Sequence, residues 1–291
     1  MKIFKNFVNV VLCILLICFL SVDIFIFCVS DFAKTENIQK NFASLDLAKE
    51  VNKIKNSGGN SSLLSSKIDE MYELSARLSI PSSFVDRIIS SSAFKESLGG
   101  MVGSITDYVI NGVSNPLLTE DEIYKIIDDN IDAWTANEED MSDTTKRRLV
   151  NGMKEIVPSI VASMPTSVEL AESNYKNEVN IIQVIFSGGV KAFAVCFTLL
   201  ICLVLVLINL KNFKWACVFG FAFFVTSLFI FVLGLFLPDI LAGFINTSDV
   251  SSFVGTVMNF LEKPFIYSSI CLFVLSLILF VLKKFLYKEK A

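Results

Sequence analysis

The chain has 291 residues, 53% of them hydrophobic, with a mean hydropathy of +0.62 and a formal net charge of −4; that is too apolar for an ordinary soluble domain. It contains no histidine, which excludes Ser-His-Asp and Cys-His nucleophilic systems, histidine metal sites and the usual near-neutral pH switch. Charge is divided unevenly: residues 31–178 carry 24 acidic and 15 basic side chains, a net −9, while the remainder carries 5 acidic and 10 basic, a net +5. An acidic middle lacks the clustered Lys and Arg that phosphate contact needs, so no nucleic-acid partner is expected.

The first apolar run, Phe7 to Val29, follows Lys2 and Lys5. A helix crosses about 30 Å of hydrocarbon with about 20 apolar residues. The run is longer than a signal-peptide core, and Cys28-Val29-Ser30 makes a poor cleavage site. Residues 1–30 are therefore expected to form a cytoplasmic N-terminus and an uncleaved first transmembrane helix.

Residues 31–183 read as a polar helical domain. Phe32, Ile38, Phe42, Leu45, Val51 and Ile54 recur at roughly helical spacing and extend the first helix outward until Gly58-Gly59-Asn60. Leu63, Leu64, Ile68, Met71 and Leu74 mark a helix ending before Pro81. Another runs from Ser83 to Leu98 and stops at Gly99-Gly100, with a further one over Val102 to Ile110. Thr119 with Glu122 forms a capping box, opening a helix with Ile123, Ile126, Ile127, Ile131 and Trp134 on one side. A helix through Leu149, Val150, Met153 and Ile156 ends near Pro158, and a last one passes Tyr175 and Ile181 into the membrane. Period-two alternation is absent, so no sheet is expected. All seven cysteines lie in or beside the apolar runs, so no disulfide staples this domain.

Three more spans follow at 184–210, 215–237 and 264–282, with an outer loop at 238–263 and a basic cytoplasmic tail closing the segment 264–291. Lys2, Lys5, Lys211, Lys214, Lys283, Lys284, Lys288 and Lys290 all fall on one side when both termini are cytoplasmic, which fixes the expected orientation. The expected fold is thus all-α: four transmembrane helices in a cell membrane, with a large extracytoplasmic helical domain between the first and second.

Few residues suggest chemistry. Asp128, Asn130, Asp132 and Glu139 take positions 1, 3, 5 and 12 of a calcium loop. Ala133 stands where the sharp turn needs Gly, and the Ile131 and Trp134 stripe carries a helix through the segment, so an acidic helix face is expected there and no metal. Asp23 and Lys191 are the charges inside apolar runs. Counted from Lys5 and Lys211 at about 1.5 Å per residue they reach similar heights, which predicts a structural ion pair at the outer headgroup level. Gly188, Ala192 and Cys196, and likewise Ala216 and Gly220, repeat at four-residue spacing and read as helix-packing stripes. No catalytic residue, phosphate loop or cofactor site is read from the sequence, and the expected cofactor is none.

The layout, a large outer domain between helices one and two and a smaller loop between three and four, resembles that of FtsX- and MacB-type permeases. The resemblance is one of topology. No motif carries it, the six residues before the first apolar run leave no helix on the cytoplasmic side, and the turn from Asn209 to Lys214 is too short to couple to an ATPase. What the sequence favours is a non-enzymatic integral membrane protein whose outer domain binds an envelope partner or ligand. The alternative implied by the resemblance is a permease-like or transporter subunit.

Overall fold

The computed structural model describes residues 2–47, 49, 63–115, 118–136, 141–163, 176–210, 214–244 and 260–288. Among them every regular element is a helix: α1 (Lys2–Phe32), α2 (Thr35–Ala43), α3 (Leu63–Arg77), α4 (Ser82–Ser90), α5 (Ser92–Asn111), α6 (Glu120–Thr135), α7 (Asp143–Ser163), α8 (Lys176–Ile185), α9 (Gly188–Ile208), α10 (Lys214–Phe244) and α11 (Glu262–Lys288). The chain divides into two compact units, one of residues 1–32, 183–240 and 258–291, the other of 33–182 and 241–257.

The first unit contains α1, α9, α11 and most of α10. Four stretches are long and apolar enough to cross a membrane: Phe4–Phe32, Lys176–Ile208, Lys214–Leu237 and Glu262–Phe285. This is the make-up of a multi-pass membrane protein. The second stretch is not one continuous helix. It breaks between α8 and α9, where the Ser187 hydroxyl accepts from the Val190 amide at 3.3 Å and caps α9. Leu16, Ile201, Leu205, Phe219 and Ala222 form the core of this unit, with Leu279 packed against it. Phe193, Leu199, Leu203, Leu207, Phe221 and Phe229 point outward and are exposed, surface that suits lipid and not water.

The second unit is a helical bundle around Met71, Phe84, Ile88, Ile127, Trp134 and Leu149, drawn from α3, α4, α6 and α7. The capping box at the start of α6 is formed. The Glu122 carboxylate accepts from the Thr119 amide at 2.8 Å, and the Thr119 hydroxyl accepts from the Glu122 amide at 3.3 Å. On α5, Gly99 and Gly103 lie one turn apart against α2. A Cβ at Gly99 would stand 2.9 Å from the Gln39 Cα, and one at Gly103 2.9 Å from the Thr35 backbone. Glycine is what lets these two helices touch along their backbones.

Four helix boundaries differ from the sequence expectation. The first helix does not continue past Phe32. Lys34 takes an extended conformation (φ −60, ψ 135) and α2 starts afresh at Thr35, whose amide and hydroxyl both donate to the Asp107 carboxylate at 3.3 Å. Gly99-Gly100 does not end a helix, because Gly99 serves close packing; the break falls instead at Ser91, whose hydroxyl accepts from the Phe94 amide. Helix α7 runs through Pro158 to Ser163, and α10 runs through Pro238 to Phe244. In both, the backbone tolerates the loss of one amide donor within a long helix.

Candidate functional site

Helices α1 and α9 run antiparallel, and their seam repeats every seven residues. On α1 the seam positions are Asn9, Leu16, Asp23 and Ser30; on α9 they are Lys191, Thr198 and Leu205. Leu16 and Leu205 share one core layer and are both fully buried. One heptad along, Thr198 donates its hydroxyl to Asp23 Oδ2 at 2.6 Å. One heptad further, the Lys191 ammonium donates to the Ser30 hydroxyl. At the other end, Asn9 and Asn209 exchange side-chain hydrogen bonds of 3.0 and 2.8 Å. A seven-residue repeat is the spacing of a coiled-coil seam, and isolated polar layers in such a seam fix register at some cost in stability.

The ion pair expected between Asp23 and Lys191 is not formed. Counting from Lys5 and Lys211 assumes that those two lysines sit at one height. The seam sets the register instead, and it places Thr198 opposite Asp23 and Ser30 opposite Lys191, about 10 Å further along at about 1.5 Å per residue. From Asn9 to Ser30 the seam spans about 31 Å, close to the thickness of a bilayer's hydrocarbon, and Asp23 stands about 10 Å from its Ser30 end.

Asp23 is 8% exposed, and its second oxygen, Oδ1, is buried with no hydrogen-bond partner among the described residues. A charged carboxylate in a bilayer centre costs about 2.5–3.5 kcal/mol on insertion scales. The other buried side-chain oxygen without a partner, among the described residues, is Thr226 Oγ1 on α10. Leu16 of α1 packs in a layer with Phe219 and Ala222 of α10 and with Leu279 of α11. Toward the far end, the Phe25 ring lies tilted against Phe265 at 6.1 Å between centroids, Cys28 meets the Pro264 carbonyl, and Gly234 lies against Phe265. Asp23 and Thr226 both fall between those layers, each seven residues on from Leu16 and Phe219 respectively. The Thr198 and Thr226 hydroxyls were not singled out from sequence. The seven-residue spacing of Leu16, Asp23 and Ser30 against Leu205, Thr198 and Lys191 was the available signal.

The packing stripes divide. Ala216 is fully buried, and Gly220 lies under the Phe280 ring, its carbonyl accepting the Ser276 hydroxyl at 2.7 Å. Gly188, Ala192 and Cys196, by contrast, are exposed, and nothing approaches within 4 Å of a Cβ placed on Gly188. The buried face of α9 is Ala194, Thr198, Ile201 and Leu205. The stripe reading is corrected because the α1 seam selects that face, about a quarter-turn or more away from the small residues.

The calcium-loop pattern lies on helix. Asp128, Asn130 and Asp132 are all within α6. Asp128 pairs with Lys154 at 2.6 Å, Asp132 with Lys146 at 3.3 Å, and the Asn130 amide donates to the Ile126 carbonyl. Asp128 and Asp132 share a helix face one turn apart but pair with separate lysines, while Asn130 projects from the other side, so the three do not converge on a cation. Glu139 lies outside the described residues. Among the described residues no group of three His, Cys, Asp or Glu side chains is placed to hold a metal ion.

The second unit has a site of its own. An open cleft of about 970 Å³ runs along α2 and α5, lined by Glu36, Gln39, Glu96, Ser104, Asp107 and Asn115 among others. Asp107 is its buried anchor, 6% exposed. Besides Thr35 it accepts from Asn111 at 2.9 Å and from Asn115 at 3.1 Å. Its carboxylate also faces the first turn of α2, where helix amides favour negative charge. Gln39 donates to the Glu96 carbonyl at 3.2 Å and ties the cleft walls together. Glu36 and Glu96 are exposed at the rim. Asp107 thus builds the cleft, and Lys34, Glu36 and Glu96 stand exposed along it. Comparison of the chain with known protein families, with curated proteins and with solved structures finds no match.

Proposed function

We propose that this chain is a non-enzymatic, multi-pass cell-membrane protein whose acidic helical unit is held outside the cytoplasm and binds a basic partner through the α2–α5 cleft. The lysine distribution supports an arrangement with both termini inside. That places residues 31–183 outside. The observation that carries the binding reading is the cleft itself: an open groove of mixed polar and apolar lining with Glu36 and Glu96 exposed at its rim, set in a segment of net charge −9. Carboxylates on both walls, Glu36 on α2 and Glu96 on α5, attract and orient a cationic surface more than they supply affinity.

The test is site-specific crosslinking in intact cells. A photoreactive residue at Gln39 or Glu96 captures a partner in a salt-sensitive manner, and Glu36→Lys abolishes the adduct. The same probe at the exposed Glu73 of α3, a helix that contributes nothing to the cleft lining, captures none. Equal capture from all three positions, or capture insensitive to salt and to Glu36→Lys, contradicts the reading.

A second reading, a permease-like subunit, is favoured by one observation: the buried oxygens of Asp23 and Thr226 that have no hydrogen-bond partner among the described residues. Ionisable groups at such depth commonly mark ion or substrate paths. Copurification with an ATPase supports this reading, and its absence from native-membrane preparations favours the binder.

A further inference from the structure

Two residues that line the cleft, Ser97 of α5 and Ile126 of α6, also line an apolar pocket of about 80 Å³ in the core of the same unit. We propose, resting on the cleft as the site of a basic partner, that the partner's segment anchors itself by one branched aliphatic side chain placed past Ser97 in this pocket.

The two compartments meet along α5. Ala93, Ser97 and Gly100 border the cleft, while Phe94, Leu98 and Met101 border the pocket, and Ser97 belongs to both. The shared edge offers little hindrance and no polar demand. Ser97 is small and half-buried, and its hydroxyl donates to the Ala93 carbonyl at 2.6 Å, so a hydrocarbon group beside it leaves no donor unpaired. The other shared residue, Ile126, is apolar.

The pocket walls select hydrocarbon. Met71, Met101, Met153, Phe94, Ile123 and Trp134 supply most of them, and Ser97 brings the one hydroxyl among the described lining residues. Water needs at least two polar partners, which such walls do not provide, whereas an apolar guest fits. Three methionines let the walls re-form around the guest.

Volume and charge select the occupant. A cavity of about 150 Å³ takes a benzene ring, so one near 80 Å³ takes a group of roughly three or four carbons, the size of a leucine, isoleucine or valine side chain. An aromatic ring is too large, and so is a phospholipid acyl chain. The net charge of −9 over residues 31–178, with Glu36 and Glu96 exposed, repels anionic headgroups and draws in lysine and arginine. An aliphatic residue flanked by basic ones therefore suits both compartments. The side chain in the desolvated pocket supplies affinity, and the rim charges supply orientation.

The experiment uses purified full-length protein in non-ionic detergent carrying Trp215→Phe, which leaves Trp134 as the sole tryptophan. The probes are dye-labelled pentapeptides Lys-Lys-X-Lys-Lys with alanine, leucine or phenylalanine at X. Anisotropy reads binding, and Trp134 emission reads the pocket. The leucine peptide binds about tenfold tighter than the alanine peptide or better and shifts Trp134 emission, while phenylalanine gains nothing over alanine. Ser97→Leu fills the pocket, removes the leucine preference and keeps the salt-sensitive binding of the alanine peptide. The peptide series on unsubstituted Ser97 decides the matter even where that variant fails to fold. Salt-sensitive binding with no leucine preference overturns the anchor and leaves the cleft's role intact. Absence of salt-sensitive binding by any of the peptides overturns both. A leucine preference that survives in folded Ser97→Leu also overturns the anchor. So does quenching of Trp134 by brominated acyl chains in nanodiscs, which assigns the pocket to lipid.

Discussion

Thr198 donates its hydroxyl to the Asp23 carboxylate at 2.6 Å, and each residue stands seven positions from a fully buried leucine on its own helix, Leu205 and Leu16. The polar contact and the apolar layer therefore belong to one seam. A slip of one turn between α1 and α9 would break both together. Thr198→Val removes the one hydrogen-bond partner a buried carboxylate has among the described residues, so it is expected to destabilise the full-length protein more than Asp23→Asn, which removes the charge itself. Unfolding in mixed detergent micelles checks the order; a larger loss for Asp23→Asn contradicts it.

At the other end of the seam the reciprocal Asn9–Asn209 pair makes a smaller contribution. Interhelical hydrogen bonds in membrane proteins average about 0.6 kcal/mol. Asn9→Ala leaves Asn209 its bond to the Leu205 carbonyl at 3.0 Å. A loss near that average is expected in the same unfolding assay, and one beyond about 2 kcal/mol would show that the pair carries register as well as energy.

The glycines of α5 give a sharper test of the second unit. Gly99→Ala and Gly103→Ala each press a methyl group to within 2.9 Å of α2 backbone, and overpacking of this kind costs about 1–3 kcal/mol. Gly100 lies between them with only the far end of the Gln39 side chain, at 3.9 Å, near a Cβ. Gly100→Ala is expected to be neutral or stabilising by up to about 1 kcal/mol through helix propensity. Hydrogen exchange along α2 reads the difference: faster exchange in the flanking variants and unchanged or slower exchange in Gly100→Ala.

Two groups make the second unit sensitive to pH at opposite extremes. The Glu122 carboxyl is held below its ordinary range by hydrogen bonds from the Thr119 amide and hydroxyl. A depressed carboxylate contributes stability above its unfolded pKa that is lost as pH falls through the folded one. Glu122→Gln should flatten the acid limb, and Thr119→Ala, which removes the cap, should cost about 1 kcal/mol near neutrality. Tyr72 is shifted upward by burial, and then by its 2.6 Å hydrogen bond to Asp86 and the charge of that carboxylate. Its contribution is complete below the ordinary tyrosine range and fades as pH rises through the folded value. Tyr72→Phe should therefore weaken the unit at neutral pH yet lessen its alkaline loss, as followed by helical circular dichroism.

Much of this architecture was legible in the chain. The four apolar runs, the absence of sheet and the capping box at Thr119 and Glu122 are local properties, set by composition and by contacts within a few residues. What sequence misplaced depends on partners far along the chain. Gly99 resembles a helix stop until Phe42 and Gln39 are seen against it. Gly188, Ala192 and Cys196 resemble a packing stripe until the α1 seam claims the opposite side of α9. Asp23 and Lys191 look matched in height because an absolute datum was assumed, whereas knobs-into-holes packing of Leu16 and Leu205 fixes a relative one. The Asp107 anchor joins Thr35 to Asn111 and Asn115 across 80 positions of chain and leaves no periodic trace.

The central claim is that the acidic helical unit lies outside the cytoplasm while both termini and the turn after α9 lie inside. An impermeant thiol reagent applied to intact cells tests it most directly, on a background with all seven cysteines replaced. Ser90 and Lys214 are both exposed and stand on opposite predicted sides. The account predicts that Ser90→Cys is labelled in intact cells and that Lys214→Cys is labelled only after permeabilisation. Labelling of Lys214→Cys in intact cells, with Ser90→Cys protected, would contradict it.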